Sequence, residues 1–164
     1  CTRWCQLAGL VEARYGYRKG EDGGCFQAAL EAVRRWGGVL EHPAHTLAWP
    51  AYGLPKPPQE GWARTECGGW VCSVEQGQYG HEARKGTWLY AVAPSVPELR
   101  WGRSSEPRAV IGWAGNRPGW GNGTPSSKNV IGETKVHRRI SKREASATPE
   151  EFRDVLLSIA RSTR

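Results

Sequence analysis

The stretch from Asp22 to Glu41 constrains the fold more than any other, because its hydrophobic period changes in the middle. Between Asp22 and Trp36, residues Cys25, Phe26, Ala29, Leu30 and Val33 recur at spacings of three and four, which predicts an amphipathic helix. Arg34 and Arg35 fall in its last turn, where positive charge suits the helix dipole, and Gly37-Gly38 stop it. Val39–Glu41 then reads as a short buried strand with polar residues at its C-terminal end. Pro43 closes it, since proline cannot donate to a sheet ladder.

Later segments extend the pattern. Thr46–Leu54 reads as a short helix interrupted near Pro50, and the following LPKPPQEGW as a loop. Gly69–Glu75 and Thr87–Val92 are strands, joined by the polar segment QGQYGHEARKG. Arg108–Trp113 is a further short strand candidate, and the Gly/Pro/Trp-rich stretch 114–129 is expected to be a flexible loop. Near the end, Thr148-Pro149-Glu150-Glu151 reads as a capping box with proline at the first helical position. The stripe Phe152, Val155, Leu156, Ile159 and Ala160 behind it predicts a C-terminal helix over 149–162. This layout predicts one α/β domain over residues 1–164, with a mostly parallel sheet flanked by helices.

Composition narrows the class. With 164 residues the chain is large enough for one real core, but a hydrophobic share of 38%, Gly 21, Pro 11 and Trp 9 point to a loop-rich fold in which tryptophan supplies much of the buried area. The sequence contains no methionine and opens on Cys1, so the translated start is expected to lie upstream. A net charge of +7 and a pI near 9.4 favour a polyanionic partner such as DNA or a nucleotide. No apolar run approaches the roughly 20 residues that cross a bilayer, so no membrane partner is expected. Five cysteines, an odd count without dense regular spacing, do not read as a disulfide framework and point to a reducing, cytoplasmic setting as the expectation.

In open α/β sheets, ligands bind beyond the carboxyl ends of the strands. Glu41, His42 and His45 hold that position after one strand, and Glu75, Gln76, Tyr79, His81, Arg84 and Lys85 lie between the next two. Carboxylate, imidazole and cation would converge on one cleft, or the two segments would be solvated loops. His42 and His45 with a cysteine are a candidate metal set, although Cys1 and Cys5, and Cys67 and Cys72, are not spaced like zinc knuckles. Cys1, close to Arg3, is a candidate nucleophile. Lys135, Arg138, Arg139, Lys142 and Arg143 concentrate positive charge suited to phosphate, with Trp113 and Trp120 available for base stacking.

Four blocks, CTRWC, AVRRWGGVLEHPAHTLAW with GLPKP, VEQGQYGHEARKGTWLYAV and ATPEEFRDVLLSIAR, resemble a group of small phage and prophage proteins, some of them DNA-methyltransferase-like. The similarity covers nearly the whole chain and is weakest over 100–130. That group is in turn similar, more distantly, to the later half of cytosine-5 DNA methyltransferases. The resemblance implies an incomplete methyltransferase-like, Rossmann-like sheet in a protein encoded by a phage or prophage and working in the bacterial cytoplasm. It implies that Cys1 stands for the nucleophile that attacks the cytosine ring and Glu41 for the acid at its N3; His42, a further catalytic candidate by its place at the strand end, sits where that pattern has asparagine. It sets Tyr79-Gly80 and the Arg84-Lys85 pair at the later family positions. Together with Gln76 and His81, which their polar segment adds by position, Tyr79, Arg84 and Lys85 are the candidate substrate-binding residues, with base flipping delivering the target. The chain departs from the pattern where Glu41 is followed by His-Pro rather than Asn-Val and where Ala83 and Lys85 interrupt the arginine repeat. S-adenosylmethionine is the cofactor this chemistry uses, and no glycine-rich binding motif for it is visible. The expected function is therefore phage-type DNA modification. A non-enzymatic nucleic-acid-binding accessory protein and a metal-dependent enzyme using His42 and His45 are the alternatives.

Overall fold

The computed structural model describes residues 3–5, 12–13, 16–104, 109–110 and 138–163. The expected first helix forms as α1 (Cys25–Trp36), with Phe26 and Leu30 buried. It starts three residues later than the sequence pattern because Asp22 works from outside the helix. The Asp22 carboxylate accepts the Gly24 and Phe26 amides, both at 3.0 Å, and the Trp4 indole N–H at 2.7 Å. Gly37 ends the helix at φ 75, where an added Cβ would lie 2.8 Å from the Thr163 side chain.

Four strands follow, β1 (Gly38–Pro43), β2 (Trp62–Arg64), β3 (Trp70–Glu75) and β4 (Gly86–Val92). They form one sheet in the order β1-β4-β3-β2, and every neighbouring pair is antiparallel. The expected mostly parallel, Rossmann-like sheet is therefore wrong. The reason lies in the connections: segment 76–85 contains no crossover helix and turns straight back, so β4 runs against β3. Parallel pairing among the described residues is confined to the two-residue strands β5 (Ala109–Val110) and β6 (Arg138–Arg139), with an Ala83–Ala109 bridge beside them. Pro43 sits inside β1 rather than after it, which is tolerated because β1 is an edge strand.

Alternation along the strands divides the core. On one face Leu40, Val71, Trp88 and Tyr90 pack against Phe26 and Leu30 of α1 and against Trp49 of the one-turn helix α2 (Ala48–Ala51). Pro50 lies within that first turn, where its missing N–H costs nothing. On the opposite face Val39, Cys72, Val74 and Leu89 meet Phe152, Val155 and Leu156. These last three belong to the C-terminal helix α4 (Glu150–Arg161). Each fully buried large side chain contributes about 1.5–3 kcal/mol, so both helix layers hold the sheet.

The expected capping box at Thr148 does not form. Pro149 is extended at ψ 147 and is itself the N-cap, so Thr148 lies one residue too early. A capping box does form on the short helix α3 (Lys142–Ser146). Ser141 Oγ accepts the Glu144 amide at 3.2 Å, and Glu144 accepts the Ser141 amide at 2.7 Å. Ser141→Ala is expected to destabilise α3 by about 1 kcal/mol. Faster hydrogen exchange confined to α3 would show it, and unchanged exchange there would refute it. Among the described residues no helix is long and apolar enough to cross a membrane. The stretch 114–129, with Trp120, and Trp113 before it lie outside the described residues.

Candidate functional site

Register places the C-terminal ends of β1 and β3 side by side across the start of β4, with Pro43 opposite Thr87 and Glu75 opposite Gly86. Three of the expected site residues meet there. Gln76 follows β3 directly in a single 3-10 turn (Gln76–Tyr79), and its amide N–H donates to the Lys85 carbonyl at 3.0 Å. Its side chain is fully buried, and Nε2 donates to Thr87 Oγ1 at 2.9 Å and to Glu41 Oε1 at 3.3 Å. Gln76 Oε1 has no partner among the described residues. Thr87 in turn donates to the Lys85 carbonyl at 3.4 Å.

Electrostatics follow from this enclosure. Burial raises the Glu41 carboxyl above its ordinary value, although the Lys85 charge and the Thr87 hydroxyl oppose the shift. Burial likewise lowers Lys85, with Glu41 opposing. The Lys85 ammonium is held by the Ser146 carbonyl at 3.3 Å and the Ala147 carbonyl at 2.9 Å, which tie it to the segment ahead of α4. The result is a half-buried carboxyl that keeps its proton longer than usual, clamped by a carboxamide and flanked by a cation.

The other expected residues go elsewhere. His42 follows Glu41 in a strand and so points to the opposite face. It is 9% exposed, its ring is edge-on to Phe26 at 5.2 Å, and Nδ1 has no partner among the described residues. Desolvation lowers its pKa to about 4, so it is a neutral core imidazole. Tyr79 is a core residue as well, 5.2 Å from the Phe152 ring, with its hydroxyl accepting the Arg100 amide at 2.8 Å. His81 turns Nδ1 to the Ala83 carbonyl at 2.7 Å, leaving Nε2 without a partner among the described residues. Arg84 is exposed and reaches the Ser104 carbonyl at 3.4 Å. Glu75 also serves that loop, accepting the Ser104 hydroxyl at 2.8 Å.

His45, at φ 61, is exposed against Trp88 at 5.4 Å. With His42, Cys5 and Trp4 it lines a separate cleft of about 250 Å³ on the α1 face. Among the described residues no three His, Cys, Asp or Glu side chains are placed to hold a metal ion. Cys1 and Lys135 lie outside the described residues, as do the side chains of Arg138, Arg139 and Lys142. Arg143 is exposed on α3.

Thr87 is a residue that pattern reading did not single out. Its signal is a hydroxyl at the head of the otherwise apolar run TWLYAV, at a position the sheet buries completely. No family model, curated protein or solved structure matches this chain.

Proposed function

We propose that this chain is a DNA-modification protein that acts on or binds DNA or nucleotides, with Glu41 as the group that meets the base. The observation that carries this reading is the clamping of Glu41 by Gln76 beside Lys85. A proton-retaining carboxyl donates a hydrogen bond to a ring nitrogen such as N3 of cytosine, which an ionised carboxylate cannot do. Gln76 and Thr87 act as positioning residues that hold this carboxyl, and Lys85 supplies a nearby positive charge that favours an anionic nucleotide. The net charge of +7 adds a general attraction for phosphate.

The methyltransferase-like form of this reading also needs S-adenosylmethionine. Among the described residues no strand runs through a glycine-rich turn into a helix, the arrangement that cradles such a cofactor, so these residues do not fit it. Support therefore rests on base recognition. A second reading is a non-enzymatic nucleic-acid-binding accessory protein, which needs the net charge of +7 but no cofactor.

Titration calorimetry with cytidine monophosphate tests the first reading. Affinity is expected to fall as pH rises through the raised Glu41 pKa. Glu41→Ala should weaken binding about tenfold, some 1.4 kcal/mol, and Glu41→Gln, which keeps a donor, should bind without that pH dependence. No binding at any pH, or wild-type binding indifferent to pH, sinks it. The accessory reading expects Glu41→Gln to leave affinity for DNA intact while charge reversal at Arg138 and Arg139 abolishes it. Affinity indifferent to both changes and to salt would end that reading too.

A further inference from the structure

The end of the sheet opposite Glu41 carries a second polar cluster. The turn Thr65–Gly69 between β2 and β3 presents Cys67 to solvent, with its sulfur 3.1 Å from Thr65 Oγ1 and 3.6 Å from the Tyr90 hydroxyl. Tyr90 is fully buried on the α1 face, and its hydroxyl reaches this turn because Gly69 has no side chain. A Cβ there would lie 2.5 Å from the ring and 2.8 Å from the hydroxyl oxygen. From the last turn of α1, the exposed Arg34 guanidinium lies 5.9 Å from the Tyr90 ring centroid, and its charge acts on both Tyr90 and Cys67. Three separate elements thus bring a thiol, a phenol and a guanidinium together.

We propose that Cys67 is a modification site, a thiolate that peroxides oxidise to sulfenic acid while Arg34 and Tyr90 stabilise the reacting anion. This goes beyond base recognition at Glu41 and does not depend on it. The thiolate sulfur attacks one peroxide oxygen, so an S–O bond forms as the O–O bond breaks. Sulfur loses two electrons, and the peroxide is reduced to hydroxide, which takes a proton from solvent. Burial of the sulfur raises its pKa, but hydrogen bonds from Thr65 and Tyr90, the Gly69 amide and the Arg34 charge outweigh it, and Cys67 lies below its ordinary value. Two other thiols provide contrast: Cys25 is exposed on α1 without such a cluster among the described residues, and Cys72 is fully buried, which pushes its thiol far up.

The test treats the full chain with hydrogen peroxide and dimedone at neutral pH and follows labelling of each cysteine by peptide mass. Cys67 is expected to label about tenfold faster than Cys25. Arg34→Gln and Tyr90→Phe should each slow Cys67 about threefold or more and leave Cys25 unchanged. Cys72 should stay unlabelled in all three proteins, which reports an intact sheet and separates loss of activation from loss of fold. Equal rates at Cys67 and Cys25, or a Cys67 rate indifferent to Arg34→Gln, would overturn the proposal.

Discussion

Replacing Phe152 with alanine is expected to lower the stability of the fold by about 3–5 kcal/mol. The ring is fully buried, 5.2 Å from that of Tyr79, and belongs to the cluster formed by Cys72, Val74 and Leu89 on the face opposite α1. No other aromatic residue of α4 reaches the sheet, so truncation leaves a cavity where that helix is anchored. A shift of the urea midpoint without a change in slope would record the loss as one cooperative transition. If the midpoint stays where it is, α4 does not belong to the cooperative unit. Because Lys85 is tied to the carbonyls just ahead of α4, the variant should also bind cytidine monophosphate more weakly.

Acidification is expected to produce the second large effect. His42 is buried against Phe26 and Trp49, and desolvation holds its folded pKa at about 4 against an ordinary 6.5. Between those values the unfolded chain binds more protons than the folded one, so stability falls as pH drops from 6.5 towards 4 and the loss then levels off. The full loss amounts to roughly 3 kcal/mol. Glu41 works the other way, since its raised pKa makes protonation favour the folded state. The informative measurement is therefore the difference between wild type and His42→Phe in unfolding free energy at pH 7 and pH 4. The variant should lose most of the acid sensitivity. An identical pH dependence in both proteins would place the acid-labile group elsewhere.

The same residue shows how far reading along the chain can go. Glu41 and His42 are adjacent and polar at a strand end, and read along the chain they form a pair. Strand period alone sends neighbours to opposite faces, so that separation was already legible in the sequence. The pairing of Glu41 with Gln76 and Lys85 followed from placing both polar segments at strand ends. It survives the change of topology because β1 and β3, each antiparallel to β4, point the same way. Tyr79 could not be assigned from pattern, since a tyrosine in a polar loop reads as a ligand contact until the helix that buries it, α4, is in place. The Cys67 cluster was equally hidden, because Arg34, Cys67 and Tyr90 come from three distant segments.

Local periodicity determined the helices α1 and α4, the strands β1, β3 and β4, and the breaks between them, because burial of one face imposes a spacing that neighbouring residues reveal. Strand direction was beyond its reach, since an apolar run has the same period in either orientation. That was decided by how segment 76–85 turns back on itself. The same turn delivers the buried Gln76 to Glu41, so the fold's direction and the candidate site share one cause.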